Sequence, residues 1–411
     1  MESTEKQLIH DNGNQVNRFN KVKVLNAIRN AKRISRIDIV HQTGISAPTV
    51  TRIVDDLITK DKLVRQIGLG ESKGGRPPKI IEFNGEKNYV IGIDWGRTHI
   101  NSTITDLNAK TILEIDAPST AHQDFDKDLQ RIYSIIDYLI KKSGIDQSKL
   151  LGIGIAAAGY INNKGVIEYS PNFNWKNINL KKPIAEKFRI PVIIQNVVRA
   201  MAIGELYYGN HGLDDFIFVN VGYGIGSGII SEGRPLTGFD GISGEIGHTR
   251  IFSETNVQRK CVCGKHNCLE CFASGRGIEE IAKERINNHP ESVVNLLTNF
   301  DSSLIDVKKL ATAANKGDEF ALRIFLEAAD ILGVSIANMT NLLNPKAVIL
   351  GGRVITSGDF FINRLYEVFQ REQLSNISNK VKMIKTSIPG KVAAKGAVGL
   401  ILRELLNLNI Q

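Results

Sequence analysis

At 411 residues, with 42% hydrophobic and 23% charged residues, the chain is longer than one hydrophobic core usually supports, and its composition excludes a disordered or collagen-like protein. No apolar run approaches the roughly 20 residues that cross a bilayer, and residues 1 to 20 lack a signal peptide's apolar core, so the expectation is a cytoplasmic protein with no membrane partner. The net charge of +9 is unevenly placed: Met1 to Asn84 hold 15 Lys and Arg against 9 Asp and Glu, which concentrates positive charge where attraction to a polyanion is useful.

From Arg18 to Ala31, the residues Phe19, Val22, Leu25, Ala27 and Ile28 recur at roughly helical spacing and predict a first amphipathic helix. Ile37, Ile39 and Val40 predict a second, closed by Thr43-Gly44-Ile45, where Gly44 can adopt the left-handed conformation that ends a helix. Ser46 is placed to cap a third helix, Pro48 suits its first turn, and Val50, Ile53, Val54, Leu57 and Ile58 form its apolar stripe. Helix, glycine turn, helix is the helix-turn-helix pattern. Two strands follow, Leu63–Ile67 and Lys79–Phe83, joined by a Gly-rich loop from Gly68 to Gly75; they form a wing. The unit spans 1–84, and Gly85 to Asn88 marks the expected boundary with a second domain at 89–411.

That second domain opens with strands over Tyr89–Asp94, Ile100–Asp106 and Thr111–Ile115. A helix carrying Leu129, Ile132, Ile135, Ile136, Leu139 and Ile140 on one face comes next, then a strand over Leu151–Ala156. The opening pattern recurs at Phe216–Val221, Gly222–Gly226 and Gly228–Ser231, which predicts two related α/β lobes around a ligand cleft.

Three sets of residues carry chemistry. Ser46, Thr49, Thr51 and Arg52 near the start of the third helix suit the major groove, and Arg76 in Gly75-Arg76-Pro77 suits an AT-rich minor groove. Charge and this geometry favour operator DNA over a trihelical protein-interaction unit. All four cysteines lie between Cys261 and Cys271, close enough to surround one zinc rather than to form a disulfide framework. Cys271, His266 and the upstream His248 compete for the last ligand position.

Gly244-Glu245-Ile246-Gly247-His248, followed by the Cys-x-Cys-Gly-x4-Cys-Leu-Glu run, resembles the signature of the ROK family of repressors and kinases; the helix-turn-helix resembles that of its repressor branch. The resemblance implies a two-lobed actin-like, hexokinase-like fold behind the N-terminal winged helix-turn-helix. It implies structural zinc on His248, Cys261, Cys263 and Cys268 within the motif 248–271, with Cys271 outside the ligand set. It also implies that Gly159, Asn172, Asn196, Glu245, His248 and Glu270 face sugar hydroxyls, that Trp175 lies near the sugar, and that the chain forms a homodimer or homotetramer.

The same resemblance sets the expectation that the chain is not an enzyme. Kinases of the family carry an Asn-Asp pair whose aspartate is the general base, and here the pair is Asn196-Val197; losing such a base costs on the order of 10² to 10⁴ in rate. Glu205, two helical turns on, is the nearest substitute. The family's Asp-x-Gly-Gly-Thr becomes Asp94-Trp95-Gly96-Arg97-Thr98, and its Gly-Thr-Gly becomes Gly222-Tyr223-Gly224. Leu350-Gly351-Gly352 and Gly396-Ala397 still resemble nucleotide-side segments, although tight turns and helix packing account for them more simply. The expected function is a sugar-responsive repressor released by its effector; the rival is an active sugar kinase with a fused DNA-binding domain.

Overall fold

Val24, Leu25 and Ile28 share one side of the helix at residues 20–29 and are fully buried, so the face turned inward is shifted from the expected one: Val22 and Ala27 are only half-buried. The computed structural model describes every residue except 1–16, 18–19, 30, 72–76, 120–124, 172, 252–257, 378–379, 389–390 and 407–411, so Phe19, Asn172 and Arg76 lie outside the described residues.

The second helix, Arg36–Thr43, starts at a capping box: the Ser35 hydroxyl accepts from the Asp38 amide and the Asp38 carboxylate accepts from the Ser35 amide. Gly44 at φ 67° ends it, donating its amide to the Val40 carbonyl at 2.9 Å. The third helix, Ala47–Thr59, buries Val50, Ile53, Val54 and Leu57, each gaining roughly 1.5–3 kcal/mol on leaving water. Ser46 holds the N-cap position but makes no capping bond; Pro48 in the first turn has no amide to offer, and the Ser46 hydroxyl pairs with that of Thr49 at 2.9 Å. Ile37, expected on the apolar face of the second helix, is exposed. A short strand, Arg33–Ser35, adds an antiparallel third member to the wing strands Val64–Leu69 and Lys79–Phe83.

Two five-stranded sheets follow, and they share one topology. In the first, Tyr89–Trp95, His99–Asp106 and Thr111–Pro118 form an antiparallel meander, while Leu150–Ala157 and then Val192–Asn196 add in parallel on the other side of the opening strand. In the second, Phe216–Val221, Ile225–Ser231 and Arg234–Pro235 form the meander, and Ala347–Gly351 and Lys382–Lys385 add in parallel. This repeated arrangement is the pair of lobes expected from the recurring strand-turn-strand pattern. Helix Phe125–Ser143 buries its apolar face against the first lobe. Helices Val197–Tyr208 and Val392–Leu406 pack on each other, the former against the second sheet and the latter against the first.

The DNA-binding unit is not tethered by a loose linker. Val24, Ile28 and Leu57 belong to one continuous core with Val90, Leu107, Val398, Ile401 and Leu402 of the following domain. The boundary stretch is a tight turn, Gly85–Lys87, flanked by Asn84 and Asn88, whose side-chain amides both donate to the Lys62 carbonyl. Among the described residues, no helix is long and apolar enough to cross a membrane.

Candidate effector site and metal centre

The cysteine run folds back on itself because the Gly264 amide donates to the Cys261 carbonyl and the Cys261 amide to the Lys265 carbonyl. Paired main-chain segments Arg250 with Cys268 and Lys260 with His266 bring the run beside the signature turn Ile246–His248. The donor atoms of His248, Cys261, Cys263 and Cys268 consequently lie within 4.8 Å of one another. Cys261 Sγ is 3.6 Å from His248 Nδ1, and the sulfurs of Cys263 and Cys268 are 3.6 Å apart. Zinc–sulfur bonds of about 2.3 Å in a tetrahedron separate neighbouring ligands by about 3.8 Å, so this donor set fits a structural metal site. Of the three competitors for the fourth position, His248 joins the group; His266 is exposed, and Cys271 is buried in the same core as Cys261 and Cys268 but is not one of the four.

The metal cluster adjoins the acidic residues of the cleft. Glu270 Oε1 accepts from the Cys261 thiol at 3.2 Å and from Arg276 Nη2 at 3.3 Å. Glu245 immediately precedes the signature turn, without a side-chain capping bond; burial pushes its carboxyl above the usual range, Arg199 opposes that shift and Glu270 adds to it. From the opposite lobe, Tyr160 faces this group: its ring is 6.3 Å from that of His248, and burial, reinforced by the charge of Glu245, pushes its hydroxyl up to about 12.

Gly159 has φ 136°, and a side chain there would come within 2.7 Å of the Tyr169 carbonyl oxygen. Its own carbonyl accepts from Asn196 Nδ2 at 3.0 Å. The other end of that amide, Asn196 Oδ1, accepts from the amides of Val198 and Arg199 and caps helix Val197–Tyr208. Asn196 thus ties the Gly159 loop to the helix start. The structure brings Gly159 and Asn196 together on one side, and Glu245, His248 and Glu270 together on the other. Trp175 is a core residue of the first lobe, 4.9 Å from Trp95 and 4.4 Å from Phe173 between ring centroids.

Tyr160, Arg199 and Arg276 belong to this region without having been singled out in the sequence. Only Arg199 carried a signal there: a lone cation in the otherwise apolar stretch Val197 to Gly204.

Val197, where the resemblance leads one to expect a base, is the first residue of its helix. Glu205 does not substitute: it is fully buried, accepts from the Thr386 hydroxyl and lies 3.1 Å from His211 Nε2. The two altered phosphate loops meet each other. Arg97 Nη1 is 3.4 Å from the Tyr223 hydroxyl, and its guanidinium lies 4.8 Å from the Tyr223 ring centroid, a contact that bridges the two lobes. Tyr223 also lines a cavity of about 910 Å³, together with Arg353 and Ser357. At the other late segment, a methyl group on Gly396 would overlap the Ala200 carbonyl, so this glycine serves helix packing.

On the DNA-binding unit, Ser46, Thr51 and Arg52 are exposed and Thr49 is half-buried along one face of the third helix. Arg52 reaches Asn17 Oδ1 at 2.6 Å, and Arg36 pairs with Asp55 at 2.6 Å, joining the second and third helices.

Comparison with known proteins agrees with both halves of this architecture. A family model described as winged helix-turn-helix DNA-binding matches residues 20–63. The xylose repressor of Caldicellulosiruptor bescii is 32% identical over 392 residues, covering 95% of this chain and 96% of that protein. The glucokinase of Halalkalibacterium halodurans is 31% identical over 294 residues, covering 71% of this chain and 88% of that protein. The crystal structure of a ROK family transcriptional regulator, a homologue of the E. coli MLC protein, shares the fold with a TM-score of 0.82 at 23% identity, over 96% of this chain and 100% of that one. The ROK family model itself matches residues 90–404, and with the signature turn and cysteine cluster folded as one unit, the chain belongs to the ROK family.

Proposed function

We propose that this chain is a sugar-responsive transcriptional repressor that binds operator DNA through its winged helix-turn-helix and is released by a sugar held between its lobes. The observation that carries the reading is Val197: the helix that should present a general base presents an aliphatic side chain, in a chain whose DNA-binding unit shares a core with the sugar domain. Two relatives that this chain matches over nearly their whole length are named as sugar repressors: the xylose repressor of Caldicellulosiruptor bescii and the N-acetylglucosamine repressor of Escherichia coli.

In this reading Glu245 and Glu270 accept hydrogen bonds from hydroxyls of the sugar and His248 contacts it through the ring atom not used for metal. Gly159, Asn172 and Asn196 shape the facing side. Carboxylates and amides suit vicinal hydroxyls because they accept or donate two hydrogen bonds in one plane. Zinc held by His248, Cys261, Cys263 and Cys268 stiffens the segment that bears three of these groups and supplies no chemistry of its own. The chain acts as a homodimer or homotetramer, so that two recognition helices meet two half-sites. Ser46, Thr49, Thr51 and Arg52 enter the major groove, and Arg76 enters a minor groove rich in AT pairs.

Effector and operator are linked: sugar that weakens operator binding is itself weakened by operator to the same factor. A DNA fragment selected from genomic DNA by the purified protein, titrated with D-xylose, D-glucose and N-acetyl-D-glucosamine, tests this directly. Release by one of them supports the reading. Phosphorylation of any of them at ordinary kinase rates in a coupled ATP assay overturns it in favour of a kinase.

A further inference from the structure

One helix has an end in the effector site and an end in the DNA-binding unit. Helix Val197–Tyr208, 12 residues and so about 18 Å long, begins at Asn196, which is bound to the Gly159 loop. Its first turn carries Arg199, which is 2% exposed and whose three guanidinium nitrogens have no hydrogen-bond partner. A guanidinium keeps its proton, so an unpaired one in the interior is costly. The charges that bear on it come from Glu245 and Asp240, both on the segment around the signature turn. The effector end of the helix is thus electrostatically unsatisfied.

The other end is well held. Arg29, at the end of the first helix of the DNA-binding unit, donates through Nη2 to the Tyr207 carbonyl at 2.6 Å, and its guanidinium lies 5.2 Å from the Tyr207 ring centroid. Alongside runs helix Val392–Leu406, close enough that a methyl group on Gly204 would stand 2.9 Å from Gly396 Cα. That second helix carries Val398, Ile401 and Leu402 into the core of the DNA-binding unit. Two helices in backbone contact have no soft layer between them to absorb a shift.

We propose that helix Val197–Tyr208 transmits cleft occupancy to the DNA-binding unit, with Arg199 as a positioning residue at the effector end and the Arg29–Tyr207 contact as the joint at the other. The proposal rests on the sugar-responsive reading of the same cleft. An effector that draws Glu245 into its own hydrogen bonds, or brings acceptors to Arg199, changes the partners of the first turn. Only a ligand with different affinity for the two helix positions shifts their balance, and the unsatisfied Arg199 supplies that difference. Packed elements respond by discrete shifts, which the stiff helix carries to Tyr207.

The test measures coupling rather than binding. With full-length protein, a genomically selected DNA fragment and the three sugars named above, wild type is expected to lose operator affinity about tenfold or more with one sugar. Arg29→Ala, which removes both contacts of the joint, and Tyr207→Leu, which removes the ring under the guanidinium but keeps the carbonyl, are expected to keep sugar affinity and sugar-free operator affinity within about threefold, while the sugar's effect on operator binding falls below about twofold in Arg29→Ala and is partly reduced in Tyr207→Leu. Arg29→Lys, which retains a donor toward the Tyr207 carbonyl, is expected to keep part of the effect. An undiminished sugar response in Tyr207→Leu or Arg29→Ala overturns the proposal. So does loss of sugar-free operator binding in Arg29→Ala with an unchanged melting temperature, because it makes Arg29 a DNA contact. If Arg29→Ala misfolds, Tyr207→Leu and Arg29→Lys decide. A wild-type protein that responds to no sugar overturns the effector reading, and the proposal with it.

Discussion

Val197 and the Arg97–Tyr223 pair show how single residues redirect an inherited site. An aspartate in place of Val197 would sit favourably at a helix N-terminus, so the substitution is compatible with folding. Phosphoryl transfer still needs phosphate positioning, and both segments that resemble phosphate loops are altered, with Arg97 of one in contact with Tyr223 of the other. Val197→Asp alone is therefore expected to give no ATP turnover above background with any of the three sugars, measured by coupled assay; turnover at kinase rates would show that the base was the one missing part. On the DNA side, Arg52→Ala is expected to cost about 1–3 kcal/mol of operator affinity and to relax discrimination at one base pair, measured on matched and altered fragments. An equal loss on every sequence would reassign Arg52 to a phosphate. Val197 and both altered loops were legible because each breaks a short motif at a fixed place. Tyr160 and Arg276 were not, since they belong to no motif and reach the site only when separate elements fold together.

The cysteine run and the signature turn form an element whose geometry was nearly complete in the sequence. Cys261, Cys263 and Cys268 are near neighbours in the chain, so local turns bring them together; His248, thirteen residues before the first of them, needed the main-chain pairing of Arg250 with Cys268. Choosing His248 over Cys271 was not a matter of spacing, because Cys271 lies closer in sequence, yet it is the His248 donor atom that falls within 4.8 Å of those of Cys261, Cys263 and Cys268. Cys263→Ser or treatment with a strong chelator is expected to weaken sugar binding about 10- to 100-fold by loosening Glu245 and Glu270, measured by calorimetry, and to lower the melting temperature. Sugar affinity unchanged in metal-free protein would leave the cluster without a role in the cleft. The third helix was equally readable from its apolar stripe. The capping bond expected of Ser46 was not formed, because the proline that marks the helix start also removes an amide the cap would use.

At the scale of the molecule, the two lobes announced themselves by a repeated strand-turn-strand pattern, and the matching sheet orders follow from it. The attachment of the DNA-binding unit did not. Its contacts with Val398, Ile401 and Leu402 join residues nearly four hundred positions apart, and periodicity reports only which face of an element is apolar, never what covers it. Sharing a core, the two parts are expected to unfold together, and a chain lacking residues 1–84 is expected to melt at lower temperature because Val90, Leu107, Val398, Ile401 and Leu402 become exposed. An unchanged melting temperature would mean the interface is only loosely held. The proposed coupling between a sugar-filled cleft and the recognition helix runs through this shared core. Its most direct measurement is operator affinity by fluorescence anisotropy, with and without each of the three sugars, on full-length protein. One sugar is expected to weaken operator binding about tenfold or more while remaining unphosphorylated in the presence of ATP. Operator affinity indifferent to every sugar, or release that requires phosphorylation of the sugar by this chain, would contradict that expectation.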